Sequence, residues 1–269
     1  MNKLLIYCLC LNNSLLSNVK KLNYIPVGLG KDSFSENWLK DDTGINISEK
    51  NPFYGEYSFH YWFWKNQLKN VEDNIWVGFC TYRRFWAQKK NFRQETSDVF
   101  KDSLKYVPND WINYETVLAD KIDLTGVKNI KILKYGKLAI IRNPKAIFKS
   151  GRNIRFNFDM FHGNGLLDKA IGLLNKNDKE DFRQYVIKNT SFNQCNFFIC
   201  RSKNKINDYY KTVFEWLERC EKVFGFNLKG YNKIRIYAFL AERFLPYWFL
   251  KNSKCIEWPI FFQDLNDLK

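Results

Sequence analysis

The chain begins with short apolar runs separated by polar segments. Residues 4–11 form a continuous apolar run of strand length, residues 24–29 form a second and residues 75–80 a third. Runs of this length bounded by polar turn residues indicate buried strands. Because helical patterns lie between and after these runs, we expect an α/β layer architecture rather than an all-β one.

Residues 53–64 hold a dense aromatic block that predicts one long helix. Its apolar side chains point to every side of a helix, so we expect it in the interior of the protein. Asn51 is placed as the N-cap of this helix and Pro52 as its first residue. The strand at residues 75–80 follows the helix after a polar turn.

The later part of the chain continues the mixture of strands and helices. Strands are predicted at residues 117–124, 192–200 and 256–262. Helices are predicted at residues 166–174, 181–187, 206–224 and 233–245. Residues 130–142 alternate apolar and polar positions around Gly136, which indicates a hairpin or two sheet strands. No repeat or low-complexity linker interrupts the sequence, so a single domain over residues 1–269 is expected.

Composition narrows the partners and the compartment. The net charge of +15 implies an anionic partner, which leaves nucleic acid, a membrane surface and a phosphorylated small molecule open. Seven cysteines without a C-x-x-C pair argue against a disulfide framework and a zinc ribbon, so a reduced, cytoplasmic location is expected. The apolar stretch at 236–250 carries Glu242, Arg243 and Pro246, which a membrane-spanning helix would tolerate badly.

Three motifs in the first third of the chain resemble a known family. They are DDTG at residues 41–44 with Asn46 and Ser48 behind it, YWFWKN at residues 61–66, and YRRF at residues 82–85. In this order they resemble bacterial glycosyltransferases of capsule and O-antigen loci, some of which are galactofuranosyltransferases. Weaker echoes at residues 162–168, 196–199 and 239–243 extend the resemblance over nearly the whole chain.

The resemblance implies both a fold and partners. The fold would be GT-A-like, a mixed central sheet flanked by helices. The partners would be a nucleotide-sugar donor, with a UDP-sugar favoured, and a glycan or lipid-linked oligosaccharide acceptor. Departures from the family pattern at Ile45, Thr81 and Ala238 leave the exact sugar open. Galactofuranose is the sugar that the resemblance favours.

Transfer from a nucleoside diphosphate requires neutralisation of the departing diphosphate. Metal-dependent enzymes of this fold do this with a D-x-D motif, and the sequence contains none. Arg83 and Arg84 follow the strand that would carry such a motif, and guanidinium groups bind phosphate oxygens without a metal. The alternative is a structural ion pair with Glu56 or with an acid near the C-terminus. We expect no bound metal, although Mn²⁺ or Mg²⁺ dependence stays open.

The other candidate donor-binding residues belong to the same motifs. They are Asp41, Asp42, Asn46, Ser48, Lys65 and Tyr82. The two aspartates are suited to hold a ribose, a uracil or a metal. Equally, Asp-Thr-Gly is good turn chemistry, and an Asx turn before the helix explains it without any ligand. The same two alternatives apply to Asn46 and Ser48.

Glu56, His162 and Asp168 are the candidates for general acid or base catalysis. Burying a carboxylate at position 56 on this helix is costly, so we expect Glu56 either to belong to a site or to form an ion pair. His162 and Asp168 flank a Gly-Asn-Gly turn whose backbone can approach a sugar closely. For this second pair the alternative is a helix cap at Asn164 with Asp168 merely exposed.

These observations predict a cytoplasmic glycosyltransferase that acts on a bacterial surface polysaccharide. Surface lysines would bring it to the inner face of an anionic membrane. The first alternative is a basic nucleic-acid-binding protein that contacts phosphates and stacks bases on aromatic rings. The aromatic residues concentrate in an apolar helix and no nucleic-acid-binding signature is present, so no nucleic acid is expected as a partner. The second alternative is an inactive family member that acts as an assembly partner.

Overall fold

The computed structural model describes residues 3–30, 32–127 and 129–268. The chain divides into two compact units. The first unit comprises Met1–Asp120, Cys195–Tyr210 and Phe249–Lys269, and the second comprises Lys121–Gln194 and Lys211–Trp248. The single domain expected from the sequence stays a prediction.

The first unit is built on a mixed sheet. The strands of the described residues are β1 (Leu4–Cys10), β2 (Ile25–Gly28), β3 (Leu39–Lys40), β4 (Trp76–Thr81), β5 (Arg84–Trp86), β6 (Thr116–Ala119), β7 (Lys121–Asp123), β8 (Ser191–Asn193), β9 (Phe198–Cys200), β10 (Cys255–Trp258) and β11 (Ile260–Phe262). The order along the sheet is β10-β6-β9-β4-β1-β2-β3, with β5 on β4 and β11 on β5. Strand β1 is parallel to β2 and to β4, whereas β9 is antiparallel to β4 and β6. The predicted mixed α/β fold is therefore confirmed.

The helices vary widely in length. They are α1 (Leu16–Lys21), α2 (Asn51–Tyr54), α3 (Tyr57–Trp62), α4 (Val99–Asp102), α5 (Asn129–Tyr135), α6 (Lys137–Arg142), α7 (Ile154–His162), α8 (Leu166–Gly172), α9 (Lys176–Lys188), α10 (Lys203–Phe224), α11 (Tyr231–Ile234) and α12 (Ile236–Asn252). Gly225 ends α10 with φ +61°, as its position after the helical pattern predicts. Among the described residues, the chain has no helix with the length and apolarity that crossing a bilayer requires.

The aromatic block forms three segments rather than the single helix expected. Gly55 adopts φ +55°, a conformation outside the right-handed helical region, so α2 ends there and α3 begins two residues later. A π-helical turn, Phe63–Gln67, follows α3. Asn51 already has helical dihedral angles and is the first residue of α2, so its prediction as N-cap is wrong. The block is otherwise buried as expected, and Phe63 packs edge-on against Tyr7 of β1 at 5.1 Å.

The prediction of strands at residues 130–142 is wrong, because this stretch forms helices α5 and α6. Among the residues of this stretch whose burial is described, the buried ones are Ile132, Gly136 and Ala139, which lie four and three positions apart. That spacing places them on one face of a helix, and they pack toward α7. The alternation of lysines with apolar residues is therefore a coincidence of composition and does not reflect a strand.

Two other predicted strands are each divided in the structure. Residues 117–124 contain the end of β6 and all of β7, and residues 192–200 contain most of β8 and all of β9. In both cases the first unit holds one strand and the second unit the other. The predicted return of residues 256–262 to the sheet is confirmed, since β10 pairs with β6 and β11 with β5.

Candidate functional site

The carboxyl ends of β1, β2 and β4 lie at one edge of the sheet, because the three strands are parallel. Backbone hydrogen bonds fix the first residues beyond β2 and β4. Leu29 N donates to Cys10 O at 2.9 Å, and Tyr82 N donates to Leu9 O at 3.1 Å. Ligands of open α/β sheets bind in the crevice at this edge. Polar side chains and a cavity at this edge are therefore the first candidates for a site.

A cavity of about 390 Å³ opens beside the end of β2. Gly28, Phe34 and Lys40 contribute to its wall, and so do Asp41 and Asp42, which directly follow β3. A Cβ atom at position 28 would lie 2.4 Å from the Phe34 ring, so glycine is what lets this ring cover the strand end. We call this cavity the edge pocket.

Asp41 is the most unusual side chain of the edge pocket. It is 4% exposed, and its Oδ2 atom has no hydrogen-bond partner among the residues that the structure describes. Burial raises the pKa of this carboxyl above its usual value and the charge of Asp42 adds to the effect, whereas a hydrogen bond with Ser58 opposes it. A buried acceptor without a partner is costly, which points to a ligand that completes it.

The loop that carries Asp41 and Asp42 is held by the aromatic motif. Trp62 Nε1 donates to Thr43 Oγ1 at 3.0 Å. The side-chain amide of Asn66 bonds to both backbone groups of Ile45, at 3.1 Å and 2.8 Å. Two motifs that are separate in the sequence therefore act as one structural element, in which the YWFWKN segment shapes the DDTG loop.

Asn46 has a local structural role. Its Oδ1 atom accepts hydrogen bonds from the backbone N and from Oγ of Ser48, at 3.2 Å and 2.9 Å, and its Nδ2 atom donates to Gly44 O at 3.0 Å. This is the Asx-type turn that the sequence left open as an alternative. Ser48 itself lines the edge pocket, so of the two residues it is the one placed to meet a ligand.

Tyr82 and Arg83 form the turn between β4 and β5, since Thr81 pairs with Arg84 across it. Both arginines are exposed. The Arg83 guanidinium lies 4.9 Å from the Tyr82 ring centre, and that of Arg84 lies 6.0 Å from the Phe262 ring centre. Neither arginine forms a salt bridge within the described part of the chain, so the alternative of a structural ion pair with Glu56 is not observed.

Glu56 lies at the N-cap position of α3 and is partly exposed. It is close enough to Tyr82 to act on the pKa of that hydroxyl. Burial raises this pKa most, Arg83 opposes the rise, and Asp264, Cys10 and Glu56 add to it. The structure therefore brings Glu56 near the end of β4, which the two arginines follow.

Lys65 lies apart from the lining of the edge pocket. Its ammonium group is 3.4 Å from the ring centre of Trp64 and 5.5 Å from that of Tyr61, on the π-helical turn. Trp64 in turn donates a hydrogen bond to Asn207 at 3.0 Å. This cation–π arrangement gives the lysine a packing role, and its role in donor binding stays a prediction.

His162 and Asp168 belong to the second unit. His162 is 7% exposed, stacks on Phe239 with a ring separation of 3.9 Å, and lies 3.2 Å from Asn232 O. Burial and the nearby charge of Arg243 lower the pKa of His162 to about 3. At neutral pH it is therefore an uncharged core residue.

Asp168 lies among three arginines. It is hydrogen-bonded to Arg142 and lies 3.9 Å from Arg155 and from Arg183. These contacts are sufficient to give Asp168 a structural role, in which its negative charge balances the arginines around it. Its role and that of His162 in catalysis stay predictions.

Several residues of the edge pocket were missed by sequence reasoning. Gly28, Asp32, Phe34 and Lys40 belong to no motif. Gly28 and Lys40 are the last residues of β2 and β3, and Asp32 and Phe34 lie between the two strands. The signal available in the sequence was the glycine at the end of the apolar run 24–29. Across the described residues, no three His, Cys, Asp or Glu side chains are grouped so as to hold a metal ion.

Comparisons with known proteins give a family and a similar fold. Residues 6–253 match the profile of the family described as Domain of unknown function (DUF4422). No curated protein matches the chain. The fold is similar to the apo structure of the WbbM bifunctional glycosyltransferase, with a TM-score of 0.67 and 20% identity. The similarity covers 97% of this chain and 45% of that one, so the chain spans less than half of its length. Because the family profile covers most of the sequence, the chain belongs to the family described as Domain of unknown function (DUF4422).

Proposed function

We propose that the chain is a glycosyltransferase that takes a sugar from a nucleotide-sugar donor bound at the carboxyl edge of β1, β2 and β4. The observation that carries the proposal is the buried Asp41 carboxylate, whose Oδ2 atom is unpartnered among the described residues and which lines a polar pocket at this edge. The GT-A-like fold of the chain supports it.

The charges of the side chains favour different places along this edge for the nucleoside and for the diphosphate of the donor. Among the described residues of its lining, the edge pocket has four acids, Asp32, Asp41, Asp42 and Glu49, and one basic side chain, Lys40, and this balance repels a diphosphate. Carboxylates accept hydrogen bonds from hydroxyl and imide groups, so the pocket suits the ribose and the base of a nucleoside. The diphosphate then belongs near the end of β4.

Arg83 and Arg84 are placed to receive that diphosphate. They lie two strands from β2, which is about 10 Å at the usual strand spacing. A nucleoside diphosphate is long enough to bridge this separation. As the bond between the sugar carbon and the diphosphate oxygen breaks, its electron pair goes to the diphosphate, and the two guanidinium groups neutralise the added charge.

The acceptor hydroxyl must lose its proton as it attacks the sugar carbon. Glu56 and Asp264 are carboxylates of the first unit whose charges act on Tyr82 near the end of β4. Asp264 caps the 3-10 turn Leu265–Asp267 by accepting from Asn266 N, so we assign Glu56 as the general base. His162 and Asp168 stay as alternatives in the second unit. The family resemblance favours UDP-galactofuranose as donor and a glycan or lipid-linked oligosaccharide of a bacterial surface polysaccharide as acceptor.

Nucleic-acid binding is the weaker function for this chain. Stacking of bases needs exposed aromatic rings, and five tryptophans are fully buried, namely Trp76, Trp86, Trp111, Trp216 and Trp258. The net charge of +15 and exposed rings such as Tyr106, Phe148 and Tyr231 are the features that support that alternative.

A donor screen tests the proposal. The full chain is incubated with UDP-, GDP- and CDP-sugars, and release of the nucleoside diphosphate is measured with and without extracts of capsular oligosaccharide. We expect release from one class of nucleotide, which Glu56→Gln abolishes and Asp110→Asn, a change of an exposed acid, leaves unchanged. Release from no donor, together with tight binding of an RNA oligomer, would contradict it.

A further inference from the structure

Residues 129–149 of the second unit carry positive charge without compensating acids. The sequence contains no Asp or Glu between Asp123 and Asp159. The exposed cations of the stretch are Lys131, Lys134, Lys137, Arg142, Lys145 and Lys149. Arg142 forms salt bridges with Asp159 and Asp168, so the positive charge that faces solvent comes from the lysines.

The same stretch exposes large apolar side chains. They are Ile130, Leu138, Ile141, Ile147 and Phe148, each between 62% and 76% exposed. These five are among the fourteen large hydrophobic side chains that are exposed over all the described residues. Apolar exposure is therefore concentrated here, in a segment that contains no acid. A concentrated apolar patch marks an interaction surface more often than chance exposure does.

These apolar side chains lie on the outer side of one layer. Helix α5, helix α6 and the 3-10 turn Pro144–Ile147 bury Ile132, Ala139 and Ala146 in a core with Phe156 and Met160 of α7. Each exposed apolar residue is one or two positions from a buried one, which turns it away from α7 on a helical backbone. The layer thus has one face in the core and one mixed apolar and basic face.

The composition of the outer face discriminates between partners. Protein interfaces are depleted in lysine, and a protein partner would need its own acids to match this charge. An anionic bilayer matches both features at once, since lysines bind headgroups and apolar side chains enter the boundary of the acyl chains. Lysine stems also cover apolar surface while the ammonium groups stay in water.

A small cavity at the rim of this layer extends the basic surface. It has a volume of about 330 Å³, and Lys134, Lys137 and Lys233 contribute to its wall. Asp159 also lines it, but Asn143, Gly165 and Arg142 hold that carboxylate. The third lysine comes from α11, so positive charge continues beyond the stretch itself.

We infer that the outer face of residues 129–149 docks the second unit on an anionic phospholipid bilayer. Ile130, Leu138, Ile141, Ile147 and Phe148 enter the interface, and Lys131, Lys137, Lys145 and Lys149 contact the lipid phosphates. The inference does not depend on the proposed transfer reaction, because vesicle binding requires neither donor nor acceptor.

Vesicle co-sedimentation of the full chain tests the inference. We compare vesicles of phosphatidylglycerol and phosphatidylcholine with vesicles of phosphatidylcholine alone. We expect binding to the anionic vesicles only, weakened by salt. The triple change of Lys137, Lys145 and Lys149 to Gln should weaken binding by on the order of 10²-fold, since each lysine near an anionic surface contributes about fivefold.

Matched control variants distinguish binding through this face from non-specific attraction by the positive charge of the whole protein. The control triple changes Lys89, Lys90 and Lys105 to Gln, exposed lysines of the first unit, and should retain most of the affinity. Ile141→Ser with Phe148→Ser should also release the chain from vesicles, whereas Ile112→Ser with Tyr106→Ser should not. Equal binding to both vesicle types, equal loss in the control triple, or self-association without vesicle binding would each overturn the inference.

Discussion

The side-chain amide of Asn66 pairs with the backbone of Ile45 in both directions. Its Oδ1 atom accepts from Ile45 N at 3.1 Å and its Nδ2 atom donates to Ile45 O at 2.8 Å. A third bond, from Nδ2 to Trp62 O at 2.9 Å, anchors the amide to its own helix. The geometry of the loop behind Asp41 and Asp42 therefore depends on a residue more than twenty positions away.

Gly44 is a residue of this loop at which a side chain does not fit. It has φ +56°, and a Cβ atom there would lie 2.3 Å from Asn66 Oδ1. Gly44→Ala should therefore displace the amide and weaken nucleotide binding. The backbone conformation alone adds about 1–2 kcal/mol of strain. Calorimetric titration with UDP measures the effect on binding, and thermal unfolding measures the effect on stability.

Gly126→Ala is the matched control for this change. A Cβ atom at position 126 meets no described residue within 4 Å, and the residue has no positive φ. It should keep both the affinity and the stability of the wild type. Unchanged nucleotide affinity in Gly44→Ala would show that the Asn66 clamp does not shape the binding site.

Trp62 links the aromatic core to the same loop. It is 6% exposed, stacks on Phe59 with a ring separation of 5.6 Å and donates to Thr43. Trp62→Ala should lower the free energy of unfolding by roughly 3–5 kcal/mol. Trp62→Phe keeps a ring and loses about 1 kcal/mol with the hydrogen bond. Denaturant unfolding checks both values, and an alanine variant of nearly wild-type stability would contradict the assignment of Trp62 to the core.

Stability should fall in mild acid because both histidines of the chain are buried and uncharged. Burial is the main cause that lowers the pKa of His60 and of His162 to about 3, from 6.5. Below pH 6.5 the unfolded state takes up protons that the folded state does not. The free energy of unfolding should therefore fall by up to about 1.4 kcal/mol per pH unit for each histidine.

Urea unfolding between pH 7 and about pH 5 measures this dependence, above the range in which carboxylates of ordinary pKa titrate. The two histidines together contribute up to about 2.7 kcal/mol per pH unit at the acid end, and buried acids with a raised pKa, such as Asp41, contribute with the opposite sign. His162→Gln removes one titrating group and should roughly halve the slope, even though the variant is less stable. A wild-type stability that does not change over this range would show that the imidazoles are accessible to protons.

The two arginines should govern turnover without affecting the fold. Both are exposed and form no salt bridge with a described residue, so Arg83→Ala and Arg84→Ala should change stability by less than about 0.5 kcal/mol. Loss of a preorganised donor to the diphosphate should lower the rate on the order of 10²–10³-fold. Arg84→Lys keeps a charge but loses the planar fork, so a reduced rate is expected there as well.

Rates of donor turnover with and without EDTA complete this prediction. Activity should survive EDTA, and Arg93→Ala, which removes an exposed arginine elsewhere, should leave it unchanged. The role of the arginines would be contradicted by three results together: EDTA abolishes the activity, Mn²⁺ restores it, and Arg84→Lys leaves it intact. Asp41 and Asp42 would then be the residues to examine as metal ligands.

The sequence predicts the centre of the sheet well, for a physical reason. Strands β1 and β4 are buried on both faces and read as uninterrupted apolar runs, which leaves their positions unambiguous. Helix α10 is equally clear, because its apolar residues recur at helical spacing and Gly225 ends it. The apolar run of β4 is therefore sufficient by itself to place Tyr82, Arg83 and Arg84 at the carboxyl end of that strand.

Short segments with mixed composition are predicted less well. Lysines alternate with isoleucines at residues 130–142, and only the packing of Ile132 and Ala139 on α7 identifies the period as helical. The break at Gly55 depends on a single positive φ, which no pattern of polarity records. The candidate site is likewise predicted only in part. Its motif residues can be recognised in the sequence. Phe34 and Lys40 belong to no motif, and they line the edge pocket only because β3 pairs with β2 in the folded sheet.

One measurement tests the central claim most directly, namely calorimetric titration of UDP into the wild type, Asp41→Asn and Asp110→Asn. If the nucleoside occupies the edge pocket, the wild type binds UDP with micromolar to millimolar affinity. Asp41→Asn then loses at least about tenfold, since a charged hydrogen-bond partner contributes about 1.5–3 kcal/mol. Asp110→Asn should bind as the wild type does. Equal affinity in all three proteins, or no heat with UDP from a folded wild type, would contradict the placement of the donor beside β2.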